Sequence, residues 1–517
     1  MAIVRSKLEL DPDLPDFPTI THALAFAAGH VPDRIAMICE DKSMTYAQYA
    51  RGAAGLAAEL KSRGAQGSRV AIMMTSSIEM AVACHGGMAA GAQIACMNPN
   101  YSAREAAPLL ADTDPAVIVT EPAFAEFARA RAAEAGIAEV LVLGDGETEV
   151  AAWFDDAGLA LDGDLPGPDD PSAMFFTGGT TGVPKGAEHI HSMMMWFCRM
   201  NGSVWPARFD QENILSVAPM FHIWGHHYAN IMPVYLRATL VSVPQYKPEI
   251  VLDQFERNRI SVFAGGPAAI YIGLLRSPAA DTTDFSALRH CFAGGSPCPE
   301  SLLLEWREKT GCEIHEGYGM SEGAPVSGNP AGGAGKLLSV GLIAPMTSIK
   351  IVDIETGDKI LPAGERGEIC LKGPQFTRLY RSRPEETAIA IRDGWLHTGD
   401  IGYLDEDEYL FIVDRKKEMI LVGGFNVYPR EIDEVLTGHP SVHEAATVGV
   451  PDDFRGEMVK AFVALVPGET VGEDELIEYC AGRLVKYKVP VAIEFMEALP
   501  KTGANKIDKL KLRGLKD

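Results

Sequence analysis

Apolar runs and amphipathic stretches alternate along the first part of this chain. Met44-Thr45-Tyr46-Ala47-Gln48-Tyr49 opens an alanine-rich helix that runs to Arg63, with Thr45 as its N-cap. Arg69-Val70-Ala71-Ile72-Met73-Met74 reads as a strand, and Ile78 to Ala90 as a helix that stops near Gly91. Ala116-Val117-Ile118-Val119-Thr120 and Val140-Leu141-Val142-Leu143 are further strands with a helix between them. Strands alternating with helices over about residues 20–170 predict parallel βαβ units. No internal repeat or low-complexity segment interrupts them.

From residue 213 onward, four successive units end an apolar strand in small or polar residues. They are Asn213–Ala218 running into Pro219-Met220-Phe221-His222-Ile223-Trp224-Gly225, Ser261–Pro267, His290–Pro297 and Glu313–Glu322. In an open α/β sheet, ligands bind beyond the carboxyl ends of the strands, so these tips are expected to share one cleft. Near residue 340 the texture changes to short strands with turns, such as Ile349–Val352 and Gly367–Leu371. Asp414-Arg415-Lys416-Lys417-Glu418 then separates two apolar runs, as a solvated turn or a domain junction. Helices at Arg430–Leu436 and Glu473–Lys486, with strands at Glu444–Val450 and Ala461–Val466, suffice for a compact α+β domain.

The segment Thr177-Gly178-Gly179-Thr180-Thr181-Gly182-Val183-Pro184-Lys185-Gly186 adds chemistry to this outline. It follows the apolar strand Ala173–Phe176. Its glycines allow close backbone approach, its hydroxyls and amides can line a phosphate-holding concavity, and Lys185 adds a positive charge. A glycine–threonine surface turn is the competing reading. A Walker A loop fails on spacing, because Val183 and Pro184 separate Gly182 from Lys185 and Gly186 follows the lysine.

Composition narrows the partners. The net charge of −24 argues against nucleic acid or an anionic membrane surface. Nine scattered cysteines without C-x-x-C spacing suit a reducing cytoplasm. No apolar run approaches membrane-spanning length, and the first residues lack the apolar core of a signal peptide. No H-E-x-x-H motif occurs, and His189 and His191 read as structural rather than metal-binding. His222, His226 and His227 cluster more tightly.

Five motifs, in order, resemble those of the adenylate-forming superfamily, which holds acyl-CoA synthetases, peptide-synthetase adenylation domains and luciferases. The 177–186 segment resembles its phosphate loop, Gly317-Tyr318-Gly319-Met320-Ser321-Glu322 its adenine motif and Gly394-Trp395-Leu396-His397-Thr398-Gly399-Asp400 its ribose motif. Asp414–Glu418 resembles its hinge, and Pro500-Lys501-Thr502-Gly503-Ala504-Asn505-Lys506 its catalytic-lysine motif. The resemblance implies an α/β fold with a large N-terminal domain (1–414) of two helix-flanked sheets plus a small β-barrel subdomain at about 340–414. A hinge at 415–417 and a small, mobile α+β C-terminal domain (418–517) would follow.

The implied reaction turns a carboxylate and ATP into acyl-AMP and pyrophosphate, then passes the acyl group to a thiol. Two anions must be brought together, which calls for cations and oriented donors. By resemblance, Lys506 bridges carboxylate and phosphate, and Glu322 with Thr180 holds Mg²⁺. Thr177, Gly178, Gly179, Thr180, Thr181, Gly182, Lys185 and Ser321 take the phosphates. Tyr318, Gly294, Gly295, Ser296, Glu316, Gly317 and Gly319 surround adenine, Asp400 and Ile412 meet the ribose, and Arg415 reaches ribose or phosphate. Departures from the family pattern at Gly178, Ser321 and Asn505 keep phosphate-binding groups or a permissive backbone.

Peptide-synthetase domains for α-amino acids carry an acid in the motif that here reads Pro219–Trp224, so the chain resembles the acyl- and aryl-CoA ligases, such as 4-coumarate–CoA ligases and medium-chain acyl-CoA synthetases. That branch implies an acyl pocket of His222, Trp224, Tyr228, Phe292, Gly295, Gly319, Met320 and Val326, with His222 at its mouth. Gly423, Gly424 and Phe425 would line a coenzyme A tunnel, although a simple turn reads equally well there. Lys417 is the hinge residue. The expected activity is ATP-dependent ligation of coenzyme A to a small or medium aliphatic, alicyclic or aromatic acid. A ligase that loads a carrier protein is the alternative. Whether the chain acts as a homodimer is open.

Overall fold

The computed structural model describes residues 3–177, 184–452, 454–501 and 507–514. They form two compact units. The larger takes Arg5–Ser348 and Leu371–Leu396; the smaller takes the residues up to Val4, Ile349–Cys370 and the chain from His397 onward.

The larger unit holds two sheets. The first has six strands in the order Glu139–Val142, Val117–Thr120, Arg69–Met73, Gln93–Met97, Pro171–Thr177, Lys185–Ile190. All its pairings are parallel except the last, where Thr177 faces Lys185 in an antiparallel hairpin. Buried on both faces, its central strands are mostly apolar, with Arg69, Gln93 and Thr120 only at strand ends, as parallel sheets favour. The helix Tyr46–Ser62 begins where expected, with a capping box between Thr45 and Gln48.

The second sheet has nine strands. Six are parallel neighbours: Ile314–Met320, His290–Ala293, Val262–Gly266, Asn213–Ser216, Thr239–Ser242 and Ile35–Cys39. Gly323–Gly328 and Leu342–Ile343 extend one edge and Lys42–Thr45 the other, all antiparallel. The four strand tips singled out in the sequence therefore lie side by side. One reading is corrected. The 20–170 region is not one run of βαβ units, because Ile35–Cys39 and Lys42–Thr45 leave it to join the second sheet at Thr239–Ser242. The segment after Pro184 is a strand, Lys185–Ile190.

Ser348–Val352, Gly367–Lys372 and Trp395–Leu404, whose residues fall mainly in the smaller unit, are neighbours, and Leu410–Arg415 pairs with Trp395–Leu404. This corrects the expected β-barrel: among the described residues the strands form an open sheet, since Leu410–Arg415 pairs only on one side. Beyond it, Phe425–Val427, Ile420–Val422, Gly456–Leu465 and Val442–Asp452 make a sheet that Ala492–Phe495 joins in parallel. The helices Pro429–Thr437 and Glu473–Ala481 cover it, burying Ile432, Leu436, Leu476 and Cys480. The second helix stops at Ala481, short of the expected Lys486, with Gly482 following it.

Candidate active site

The tips of the parallel strands in the larger unit build an aromatic wall. After Asn213–Ser216 the chain folds back through a one-turn helix, Ile223–Gly225, whose start is capped by His222 Nδ1 accepting from the Trp224 N–H (3.3 Å). Only glycine fits at 225: a Cβ there would lie 2.1 Å from the Pro219 carbonyl oxygen. A π-helix, His226–Ile231, follows; such widened turns accompany functional sites. It presents Tyr228, whose ring lies 4.6 Å from Trp224 and 5.5 Å from Phe292. Trp224 sits against Gly294, where an added Cβ would be 2.5 Å from its ring. The Trp224 Nε1–H is buried without a hydrogen-bond partner among the described residues. Tyr228 donates to Asn201 Oδ1 (3.3 Å). Val326 is fully buried on the neighbouring hairpin. The predicted acyl residues Trp224, Tyr228 and Phe292 thus come together.

His226 and His227 belong to the core. Burial pulls the His226 imidazole down to about 3 and holds His227 well below the ordinary value. Cys84, Cys96 and His226 lie close together, and the Asn230 amide donates to Cys84 Sγ (3.6 Å). All nine cysteines are buried and free of disulfides. His189, also buried, donates from Nε2 to the Ser321 carbonyl (2.8 Å), tying the strand after the phosphate loop to the adenine motif.

That motif is a β-hairpin. Gly317 faces Gly328, Tyr318 faces Ser327 and Met320 faces Gly323, which leaves Ser321 and Glu322 as the turn. Glu322 accepts the Tyr380 hydroxyl at Oε1 (2.5 Å), and the Lys185 ammonium lies over the Tyr380 ring, 5.3 Å from its centre. The structure therefore joins two predicted residues, Glu322 and Lys185, through a tyrosine the sequence reading missed. Burial and then the Glu322 charge push the Tyr380 phenol up, so it stays a donor. Two predicted nucleotide residues also have local structural partners: Ser296 accepts from the Ala268 N–H (3.2 Å) at a helix start, and buried Glu316 accepts from the Cys298 N–H (3.0 Å). Gly178, Gly179, Thr180, Thr181 and Gly182 lie outside the described residues, as does Lys506.

The smaller unit carries the ribose motif and hinge run on facing strands. Asp400 faces Arg415, whose Nε lies 3.2 Å from Asp400 Oδ1. Gly399, at φ +71°, donates its N–H to Glu368 Oε1 (3.2 Å), and Lys416 reaches Glu368 Oε2 (3.2 Å). Buried Glu368 thus ties the backbone just before Asp400 to the Lys416 side chain of the facing strand, a role no sequence signal announced. Ile412 is half-buried, and its carbonyl accepts from Arg430. Asp414 accepts the N–H groups of Arg415 (2.7 Å) and Arg430 (2.9 Å), and burial pushes its carboxyl up to about 6. Lys417 is exposed. Gly423 (φ +57°) and Gly424 (φ +85°) form the two-residue turn between Val422 and Phe425, so a hairpin geometry with two positive φ angles accounts for both glycines. Phe425 is exposed and stacks on Tyr487 at 4.6 Å.

No described helix is long and apolar enough to cross a membrane. Comparison with known proteins agrees with the geometry. The AMP-binding enzyme model matches residues 24–381, and the AMP-binding enzyme C-terminal domain model matches 431–506. The long-chain-fatty-acid–CoA ligase of Bacillus subtilis is 33% identical over 96% of this chain and 94% of its own length. The feruloyl-CoA synthase of an Amycolatopsis species is 35% identical over 91% and 94%. ATP-bound MatB from Rhodopseudomonas palustris superposes with a TM-score of 0.87 at 30% identity, covering 96% of this chain and 98% of that one. The chain belongs to the AMP-binding enzyme family, in the acyl-CoA synthetase branch of the adenylate-forming superfamily, and is an ATP-dependent, AMP-forming acid–thiol ligase.

Proposed function

We propose that this enzyme activates a small or medium aliphatic, alicyclic or aromatic carboxylic acid. The observation that supports this reading is the wall of tilted, closely packed rings of Trp224, Tyr228 and Phe292, which gives the acyl end an apolar, aromatic surface. His222 stands at the start of that wall, as gate or polariser of the carboxylate. The feruloyl-CoA synthase likeness is in keeping with an aromatic acid.

In this reading the 177–186 loop and Lys185 grip the phosphates that leave as pyrophosphate. Tyr318 stacks on adenine, with Gly295, Gly317 and Gly319 beside it. Asp400 accepts the ribose hydroxyls, and Arg415 orients Asp400. The carboxylate of Glu322, with Thr180, is a hard oxygen donor set that suits Mg²⁺. When bound, that ion neutralises phosphate charge during attack. Lys506 bridges the acid and the α-phosphate. The domains 1–414 and 418–517 then turn about 415–417, so that Gly423, Gly424 and Phe425 can guide the thiol. The setting proposed is cytoplasmic.

ATP–pyrophosphate exchange across a panel of acids tests the reading, with strongest exchange expected for medium aliphatic or phenyl-bearing acids. Exchange with none of them, or with long-chain acids alone, overturns it. Product mass spectrometry with coenzyme A or an acyl carrier protein decides the acceptor, and acyl-CoA is expected. Lys506→Ala should lower adenylate formation about 100-fold or more while sparing the conversion of supplied acyl-AMP with coenzyme A. Lys417→Pro should do the reverse. Equal loss of both steps in either variant speaks against domain alternation.

A further inference from the structure

Tyr380 lies on no regular strand, yet it is among the most constrained residues near the phosphate loop. Its backbone bridges Ala187 in antiparallel fashion, and the next residue, Arg381, donates its N–H to the Gly186 carbonyl (2.8 Å). Upstream, Thr377 donates its N–H to the Glu322 carbonyl (2.6 Å) and its hydroxyl to the Glu188 carbonyl (2.7 Å). Gly323 is pressed so closely on this segment that a Cβ would lie 2.4 Å from the Gln375 carbonyl oxygen. The segment 375–381 is thus clamped both to the strand after the phosphate loop and to the hairpin turn that carries Glu322. From that clamp the Tyr380 hydroxyl reaches Glu322 Oε1 at 2.5 Å, and its ring lies beneath the Lys185 ammonium at 5.3 Å. The side chain is 7% exposed.

We propose that Tyr380 is a positioning residue for adenylation: its hydroxyl orients the Glu322 carboxylate for the metal ion, and its ring holds Lys185 toward the phosphates. This rests on the assignment of Glu322 and Lys185 made above. A hydrogen bond to a charged acceptor fixes the carboxylate's rotation, and a cation over an aromatic face fixes an otherwise mobile ammonium. The two contacts are separable by substitution. Tyr380→Phe removes the hydroxyl and keeps the ring, the backbone clamp and the face under Lys185. Tyr380→Leu removes both contacts.

The test is calorimetric titration of ATP into the enzyme at a series of Mg²⁺ concentrations, with no acid present and no turnover. For Tyr380→Phe the Mg²⁺ needed for half-maximal ATP affinity should rise about tenfold, while the weak Mg²⁺-free affinity stays unchanged. For Tyr380→Leu the Mg²⁺-free affinity should also fall about two- to fivefold. A purely structural role would weaken ATP binding equally at all Mg²⁺ concentrations. A Mg²⁺ titration of Tyr380→Phe that overlays the wild type, or a uniform loss, overturns the proposal. Glu322→Gln separates the two levels. It should abolish the Mg²⁺ dependence; if the dependence survives, the Glu322 assignment fails and the role of Tyr380 fails with it. If Glu322→Gln behaves as expected and Tyr380→Phe does not, only Tyr380 is overturned.

Discussion

The two units hold their nucleotide-motif residues by different means. In the larger unit the residues sit on strand ends and hairpin turns, fixed by sheet register and by glycines that admit close neighbours, with Tyr380 as the main polar link. In the smaller unit Asp400 and the hinge run are held by ion pairs: Arg415 on Asp400, Lys416 on Glu368, and Lys509 among Asp433, Glu418 and Asp414. Register is rigid and indifferent to pH. Buried charges lose solvation that their partners must return, so they are sensitive to the loss of any one member and to protonation. A segment proposed to rotate between half-reactions is thus held chiefly by ion pairs, whereas the face that holds phosphates is held chiefly by sheet register, with the Glu322–Tyr380–Lys185 set as a polar link.

Breaking the charge cluster should have the largest effect. Lys509 Nζ lies 2.9 Å from Asp433 and 3.9 Å from Glu418. Lys509→Met leaves these carboxylates without their cation and should cost about 3–5 kcal/mol. Denaturant unfolding should show the loss; a cost under about 1 kcal/mol would mean the cluster is solvated in solution.

On the register side, the sharpest test is Gly225→Ala, which drives a methyl into the Pro219 backbone. Overpacking of this kind costs about 1–3 kcal/mol and shifts Trp224 and Tyr228 with the turn. It should therefore raise the KM for the acid more than that for ATP. Equal changes in both would separate the aromatic wall from acid binding.

The pH dependence sharpens the contrast. Asp414 rises from its ordinary 3.8 to about 6, chiefly through burial, with Lys509 opposing and Glu418 reinforcing the shift. The folded state therefore binds this proton more tightly than the unfolded chain does. The stability it contributes is present below about pH 4 and is lost as the pH rises through about 6. The cost of Asp414→Asn, measured by denaturant unfolding, should accordingly be largest near pH 4 and shrink by about 2–3 kcal/mol toward pH 7.5. A pH-independent difference would contradict the raised value.

These same residues show where sequence reading succeeds. Local patterns were legible: Thr45 caps its helix, and the four strand tips follow one another in the sheet as they do along the chain. The Ser321–Glu322 turn lies where its motif stands. Long-range pairings were not. Ile35–Cys39 has an ordinary strand pattern, but nothing local says that its neighbour is Thr239–Ser242. Lys509, with Lys511 and Arg513 beside it, reads as part of a solvated tail, and only the fold brings it to Asp433 on another helix. Tyr380 follows Arg378 and precedes Arg381 in a stretch without periodicity, so its contact with Glu322, set by a crossing of segments, left no trace in spacing.

The smallest expected effect concerns the Gly423–Gly424 turn, where the two kinds of construction meet. An added Cβ at Gly423 would meet nothing within 4 Å, so sterics within this unit do not demand glycine; its φ of +57° does. Gly423→Ala should therefore cost only about 1 kcal/mol of stability, the strain of a left-handed alanine. If the glycine is there only for the turn, both half-reactions should keep their rates. If a pantetheine arm passes it, thioester formation from supplied acyl-AMP should slow severalfold while pyrophosphate exchange is unchanged. We expect the second outcome, because the turn places exposed Phe425 and an open Cα side by side on a surface that burial does not explain. Equal rates in both half-reactions would return the two glycines to a purely structural role.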